Sequence, residues 1–378
     1  MIAWQLRLLG RRVLVLERGQ VGGESSGVSF GSLRLQGQHE AELPLALSAQ
    51  ALWEGMEAAL GESVEFVQHG HVHLALSDEH AARLEHNAEV ARAHGMQVTL
   101  LGRAATLARW TFLGEAVRAS SFSARDAVAN PRLVAPAVAR AARRLGAKIR
   151  EGVELVASTH GGSGFTLHCR AADARDFVIE ADVLVNAAGA WCGAPAAWFN
   201  ETIPVFAAGP AELVTEPIPR FAEPVMHVVD GSVLFRQTAR GNLVIGGHPR
   251  MKVDAETRRT RVPSDKILTN LSRLVSVAPH LGDYHLIRSW TGIEGYVEDM
   301  RPVLGPSATT PGLFHACAFS GHGLQLGPAA AQALAELIAH GATSLPIAPF
   351  GIGRFAAAAQ AGTRMAEEFQ DDLLQARS

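Results

Sequence analysis

The sequence reads as an α/β fold in which parallel-sheet segments near both ends enclose a run of short antiparallel strands. Three observations predict this. Ile2, Leu6, Leu9 and Val13 recur at helical spacing, Arg7, Arg11 and Arg12 fall where a helix's negative end welcomes cations, and Gly10 stops the helix. Val13-Leu14-Val15-Leu16 then forms an apolar strand of the kind buried in a parallel sheet, ending on Glu17. Late in the chain, Leu313 to Phe319 reads as a strand, Ser320-Gly321-His322-Gly323 as a glycine loop, and Pro328 to His340 as an alanine-rich helix ended by Gly341. Between them, Ala211–Thr215, Met226–Val229, Val233–Arg236 and Leu243–Gly246 are short strands broken by proline and glycine, the spacing of an antiparallel sheet.

Helix, strand and terminal acid form the second half of a dinucleotide-binding βαβ unit, with Glu17 placed to accept hydrogen bonds from an adenosine ribose. The glycine turn of such a unit lies roughly 20 residues before the acid, yet Met1 is only sixteen residues before Glu17. The expectation is therefore a sheet lacking its first strand and pyrophosphate-cradling glycines, with the natural start upstream.

The loop Arg18 to Gly27 is too glycine-rich for a regular element. It is either an ordinary connection or a loop whose N–H groups and the hydroxyls of Ser25 and Ser26 meet a phosphate; its place beside the acid favours the second. Phe30 to Gly37 alternates polar and apolar residues around two glycines, and Pro44 to Leu60 reads as a helix. Val64 to Leu76 suggests a hairpin turning near Gly70. His69, His71 and His73 would share one strand face, a metal site only if further ligands converged, and otherwise a solvated face. No metal centre is expected. Asp78 to His94 is an amphipathic helix without evident chemistry. Asn130-Pro131 caps a helix closed by Gly146. Val153–Ala157 pairs with Phe165–Cys169 across Gly161-Gly162, and Asp182 to Trp191 is a buried strand running into Ala187-Ala188-Gly189. Those small residues admit either a ligand or a tightly packed helix. Ser264 to Val277 is a helix, and Leu286 to Ile293 a strand with Glu294-Gly295-Tyr296 just past it.

Composition excludes several classes. At 378 residues with 48% apolar content the chain buries a large core, as two domains or one with an insertion. A net charge of −3 with interspersed signs leaves no footprint for nucleic acid. Three widely spaced cysteines suit a reducing cytoplasm rather than a disulfide framework, and no membrane span or signal peptide is expected.

Four segments together resemble the FAD-dependent amine and amino-acid oxidoreductases of the D-amino-acid oxidase family, including glycine and sarcosine oxidases. They are Val13 to Glu17, Val183 to Trp191, Arg288 to Ile293 with Arg301 to Pro306, and Ala318 to Gln325. Gly31 to Gly37 and Glu294-Gly295-Tyr296 are most similar to the flavoprotein subunits of opine oxidase and of sarcosine- or proline-oxidising hetero-oligomers. The resemblance implies a Rossmann-like FAD-binding domain (1–65, 125–195 and 298–378) interleaved with an antiparallel-sheet α+β substrate domain (66–124 and 196–297).

It also implies roles by position. Glu17 would hold the ribose, Arg18 would lie beside the adenine end, and Val153 would meet adenine through its backbone. Ser25, Ser26 and Gly27 would line the pyrophosphate, and Leu33 and Arg34 would pass close to the flavin. Ala188, Gly189 and Trp191 would border the ribityl and adenosine regions. Gly292, Ile293, Gly321, His322, Gly323, Leu324 and Gln325 would wrap the isoalloxazine. The positive end of the helix from Pro328 would favour an anionic reduced flavin. No cysteine lies near Arg288-Ser289-Trp290, so FAD is expected to be non-covalent. Where glycine-oxidase-like members carry a carboxylate-clamping arginine, this chain has Glu294. It would meet a cationic amine, or pair with an arginine of the protein.

The implied reaction is hydride transfer from the carbon beside an amine nitrogen to flavin N5. Arg34, His248, Glu294, Tyr296 and His322 are the expected positioning groups, although His248 and Tyr296 also fit structural roles. The expected partners are a small amine or amino-acid substrate and other oxidoreductase subunits of a hetero-oligomer. The alternative is a truncated, FAD-deficient, non-catalytic homologue or assembly subunit. A nicotinamide enzyme would leave the Ser320–Gly323 loop without a task.

Overall fold

The computed structural model describes residues 1–356 except Ser163 and Ala255, together with Met365, Glu368 and Phe369; the rest of the expected 298–378 segment lies outside the described residues. Helix Ile2–Leu8 ends at Gly10, whose φ of 75° no L side chain adopts easily, and Leu14–Glu17 follows, paired in parallel with Lys148–Glu151. This strand is not buried as its apolar sequence implies. Leu14 is 36% exposed, because one edge is paired and the other borders a large cavity. On the far side of that cavity, Leu184–Asn186 pairs in parallel with Leu313–Cys317, which pairs antiparallel with Val303–Pro306.

The largest sheet among the described residues has eight strands. Its order is Leu286–Thr291, Ala211–Pro217, Asn242–Gly246, Leu234–Gln237, Val225–Val228, His71–Ala75, Ala119–Ser123 and Thr99–Gly102. The sheet is mixed, because Val225–Val228 runs parallel to His71–Ala75 while the other neighbours are antiparallel. Period-two alternation decides its faces. Val72, Leu74, Leu213, Met226, Phe235, Leu243 and Ile245 pack with Leu274 and Val277 of helix Ser264–Val277 into one core. The opposite face roofs the cavity.

Several elements differ from the sequence expectation. Val64 to Leu76 is no hairpin: Gly70 turns the chain at φ 86°, but Val67 bridges to Val128 and His71–Ala75 joins the large sheet. The helix expected from Pro44 to Leu60 is two, Leu43–Glu54 and Met56–Leu60, broken at Gly55, a poor helix former. Ser25–Val28 makes one helical turn within the glycine-rich loop. The last helix starts at Gly323, not Pro328; Leu326 N–H donates to His322 O, and Pro328 sits inside the helix, lacking only its own donor. The other expected helices, Asp78–Ala93, Pro131–Arg144 and Ser264–Val277, lie where periodicity and capping residues put them, with Ser77 and Asn130 accepting from backbone N–H groups at the starts of the first two; the short helices Arg103–Arg109 and Gly193–Ala197 are not among those expected.

Candidate active site

One continuous cavity of about 2030 Å³ runs from the tip of Leu14–Glu17 to the underside of the large sheet. At the first end, Gly19 N–H donates to Glu17 Oε1 at 2.7 Å, fixing the carboxylate at the strand tip. The indole of Trp191 lies between two guanidinium groups, Arg18 at 5.7 Å and Arg258 at 5.3 Å from the ring. Ser25, Ser26, Val153, Ala188 and Gly189 line the same stretch. Gly27, Leu33 and Gly292 do not line the cavity. A Cβ on Gly292 would stand 2.5 Å from Val28 Cγ2, and one on Gly27 would stand 2.0 Å from Gly22 O. These glycines let the wall close up; Leu33 lies fully buried in the core beneath it.

In the middle, the loop after Leu313–Cys317 is strained. Ala318 and Ser320 both have φ of 49°, and Gly321 has φ of 84°. Ser320 N–H donates to Gly295 O at 3.1 Å, which pins the loop to the next sheet. Gly321, His322, Gly323, Leu324 and Gln325 line the cavity, as does Ile293. His322 Nδ1 stands 3.2 Å from both oxygens of fully buried Glu42, and its Nε2 is 3.4 Å from Arg34 Nη2. Arg34 Nη1 also donates to Gln36 O at 2.6 Å. Thus Glu42, His322 and Arg34 form one chain of contacts reaching the cavity.

Under the large sheet the lining is densely titratable. Strand register lays His73, His227, Leu234, Gly246, Glu212 and Trp290 in a row across adjacent strands on the cavity face. His71 and His73 are 1% and 2% exposed, which overturns the solvated-face expectation. The strand is central rather than the arm of a free hairpin, so both faces are covered. His73 Nε2 lies 3.2 Å from His227 Nδ1, and burial first, then neighbouring charges including Arg34, pushes His71, His73 and His227 well below the ordinary imidazole range. Among the described residues no cluster of three or more His, Cys, Asp or Glu is arranged to hold a metal. Arg83 and Asn87 line the cavity too, so the helix Asp78–Ala93 contributes more than packing.

Glu294 lines the cavity but is also held by the protein. Its Oε2 is 3.6 Å from Arg250 and accepts from Tyr296 OH. Tyr296 is fully buried behind it, among Phe206, Met300 and Phe369, and does not line the cavity. Arg250 Nε donates to Glu368 at 3.1 Å, so one cation serves two carboxylates. His248 faces the same space, its Nε2 4.0 Å from Glu368. Gly231 makes room for that ring: at φ 75°, a Cβ there would come within 2.1 Å of the imidazole.

Sequence reasoning missed Glu42, Glu212, His227, Arg250 and Glu368. None belongs to a motif; long-range packing brings Glu212, His227, Arg250 and Glu368 to the cavity and sets Glu42 behind His322. For Glu212 a faint signal existed, a charge set among the apolar residues Ala211, Leu213 and Val214.

The chain matches the family model described as FAD dependent oxidoreductase over residues 1–337. It is 26% identical to glycine oxidase of Geobacillus kaustophilus over 93% of each chain, and 29% identical to an opine oxidase subunit of Agrobacterium tumefaciens over 94% of each. Its fold superposes on the crystal structure of L-proline dehydrogenase from P. horikoshii with a TM-score of 0.86, 24% identity and 94% coverage of both chains. The family match covers most of the chain, and the cavity from Glu17 past the Ser320–Gly323 loop to the large sheet lies within it: the chain belongs to the DAO family of FAD-dependent oxidoreductases.

Proposed function

We propose that this chain oxidises the C–N bond of an amino acid or secondary amine, of the opine, proline or hydroxyproline, sarcosine or D-amino-acid type, giving an imine that hydrolyses. The observation that carries the proposal is the continuity of the cavity from Glu17 to Arg34, His322, Glu294 and Glu212. A cofactor bound at one end can then meet a polar substrate at the other.

The residues present fit FAD. Glu17 offers the ribose a fixed acceptor, Arg18 and Trp191 offer the adenine end a cationic aromatic edge, and Gly189 leaves open space where a Cβ would lie. Buried Ser29 Oγ, close to Ser25 and Ser26 in the wall, has no hydrogen-bond partner. FAD would supply the two-electron acceptor at N5, held non-covalently because Cys169, Cys192 and Cys317 are all buried and none lies in the 288–290 segment. The chain's own groups then orient and charge-balance the substrate. Arg34 presents a cation whose contact with His322 is fixed by Glu42, and Arg250 holds the carboxylates of Glu294 and Glu368 in the wall at the same end. The first suits a substrate carboxylate, and the second gives the substrate end a fixed polar wall.

Residues 1–65, 125–195 and 298–378 would form the cofactor layer, and 66–124 and 196–297 the substrate layer. The similarity to the opine oxidase subunit supports association with other oxidoreductase subunits. Among the described residues, no helix is long and apolar enough to cross a membrane.

The test is anaerobic mixing of the FAD-loaded protein with opines, proline, hydroxyproline, sarcosine and D-amino acids. Bleaching of the flavin absorbance by one class is expected. Protein that stays colourless when FAD is supplied would instead favour the non-catalytic, FAD-deficient alternative.

A further inference from the structure

We propose that Glu212 is the group that meets the substrate amine and takes its proton before oxidation. The inference rests on the amine-oxidising function proposed above and adds the residue that prepares the amine.

Glu212 stands on strand Ala211–Pro217, on the cavity face of the large sheet, and is 3% exposed. Its neighbours in the row are Gly246 and Trp290. Neither can hydrogen-bond its carboxyl with a side chain: Gly246 has none, and the Trp290 indole N–H donates to Val28 O at 2.8 Å. Glu212 Oε2 has no hydrogen-bond partner, which is unfavourable for a buried carboxyl unless a ligand completes it. Gly246 keeps the approach clear, since a Cβ there would stand 3.0 Å from that oxygen.

The other carboxyls at this end are committed. Glu294 is shared between Arg250 and Tyr296, Glu368 is bound by Arg250, and Asp230 accepts from Ser232 N–H and lies 3.6 Å from His80. The charged groups that act on Glu212 are Arg250 and Arg236, which favour its anion, and Glu294, which opposes it. Burial outweighs them and raises its pKa to about 8. The strand carrying Glu212 pairs with Leu286–Thr291, directly before Ile293 and Glu294 in the cavity wall, so Glu212 lies beside the segment expected to border the isoalloxazine.

The step is a proton transfer. A substrate ammonium N–H bond breaks, a Glu212 O–H bond forms, and the nitrogen lone pair is freed; hydride loss from the adjacent carbon requires that neutral amine. The carboxylate must be unprotonated to accept, so catalytic efficiency rises with pH through about 8 and then levels.

Two measurements on the FAD-loaded protein test this. The first is kcat/KM against pH for whichever amine bleaches the flavin. Wild type should show the limb near pH 8, and Glu212→Gln should lose it, with efficiency about a hundredfold lower at pH 9. Glu212→Asp should restore part of the activity and the limb. The second needs no turnover: binding of 2-aminoisobutyrate, which has no hydrogen on the carbon beside nitrogen, by calorimetry in buffers of different ionisation enthalpy. Wild type should release close to one proton per site at pH 7 and almost none at pH 9, as Glu212 becomes the acceptor; in Glu212→Gln the release should not depend on pH. No binding to wild type, a release that does not change between pH 7 and 9, or the same change in Glu212→Gln overturns the proposal, as does a limb unaltered by the substitution. Amine oxidation that persists with an unaltered limb removes Glu212 alone, whereas failure of every amine in the panel removes the proposed function itself.

Discussion

The two faces of the large sheet come from the same strands and have opposite physics. On one, Val72, Leu74, Leu213, Met226, Phe235 and Ile245 are sealed against helix Ser264–Val277. On the other, alternate residues of those strands are His71, His73 and Glu212, which are buried, and His227, which is half-buried, none of them apolar. The first face gains free energy from apolar burial. The second gives some up, because each titratable group there must stay neutral or find a partner. Stability and chemistry are thus separated by one residue of register, and a one-residue slip in any of these strands would exchange them.

The sharpest way to test that separation is to damage the apolar face. Phe235→Ala removes a ring that is 1% exposed and touches Phe112 edge to face at 6.4 Å between centroids. It should destabilise the protein by about 3–5 kcal/mol, read from denaturant unfolding at constant m-value. Any protein that remains folded should keep the cavity's pH behaviour. A loss below about 1 kcal/mol would mean that this face is not the core.

Damage to the cavity face should have the opposite sign. Glu212 has a pKa raised to about 8 from an ordinary value near 4.5, first by burial. The native state therefore holds its proton more tightly than the unfolded chain. The associated stability is complete below about pH 4.5 and is lost as pH rises through about 8. Glu212→Gln, which cannot ionise, should raise the melting temperature at pH 9 relative to wild type, by a free energy on the order of a few kcal/mol, and change it little at pH 5. The three histidines provide an internal control. Their folded pKa values are depressed, so their contribution is present above about 6.5 and is lost on acidification. The substitution should leave that acid limb in place. Equal melting temperatures at pH 9 would show that Glu212 is already charged and paired.

The same division explains what the sequence could disclose. Periodicity and punctuation carry local information, so the strand ending on Glu17, helix Pro131–Arg144 with its Asn130 cap, and the short strands around 211–246 were legible within a residue or two. The chemistry under the sheet was not. His71 and His73 alternate as a solvated strand would, and only the parallel pairing with Val225–Val228, contributed from about 150 residues away, buries them. Glu42 meets His322 across 280 residues of sequence, and Arg250 collects Glu294 and Glu368 from two further segments. For Glu294 the sequence offers two alternatives, a substrate amine or a protein arginine. It lines the cavity and is paired with Arg250 as well, a combination that neither alternative contained.

The smallest expected effect sharpens the comparison from outside the cavity. Arg170 and Asp176 face each other across the hairpin Gly164–Ala171 and Asp176–Ala181, with an Nε to Oδ1 distance of 2.8 Å, shorter than the 3.1 Å from Arg250 Nε to Glu368 and the 3.6 Å from Arg250 to Glu294. If distance governed strength, the hairpin pair would matter more. But Arg170 and Asp176 are 53% and 64% exposed, whereas Arg250 is 16% exposed and Glu368 4%. Water and salt already solvate the exposed charges, so Arg170→Ala should shift the melting temperature by less than about 1 °C, at low and high salt alike. Arg250→Met would instead remove the cation that both Glu294 and Glu368 contact, at side chains only 14% and 4% exposed, and should lower the melting temperature by several degrees. A melting shift for Arg170→Ala comparable to that of Arg250→Met would mean that dehydration does not set the strength of these pairs, and the contrast drawn between the two faces of the sheet would lose its physical basis.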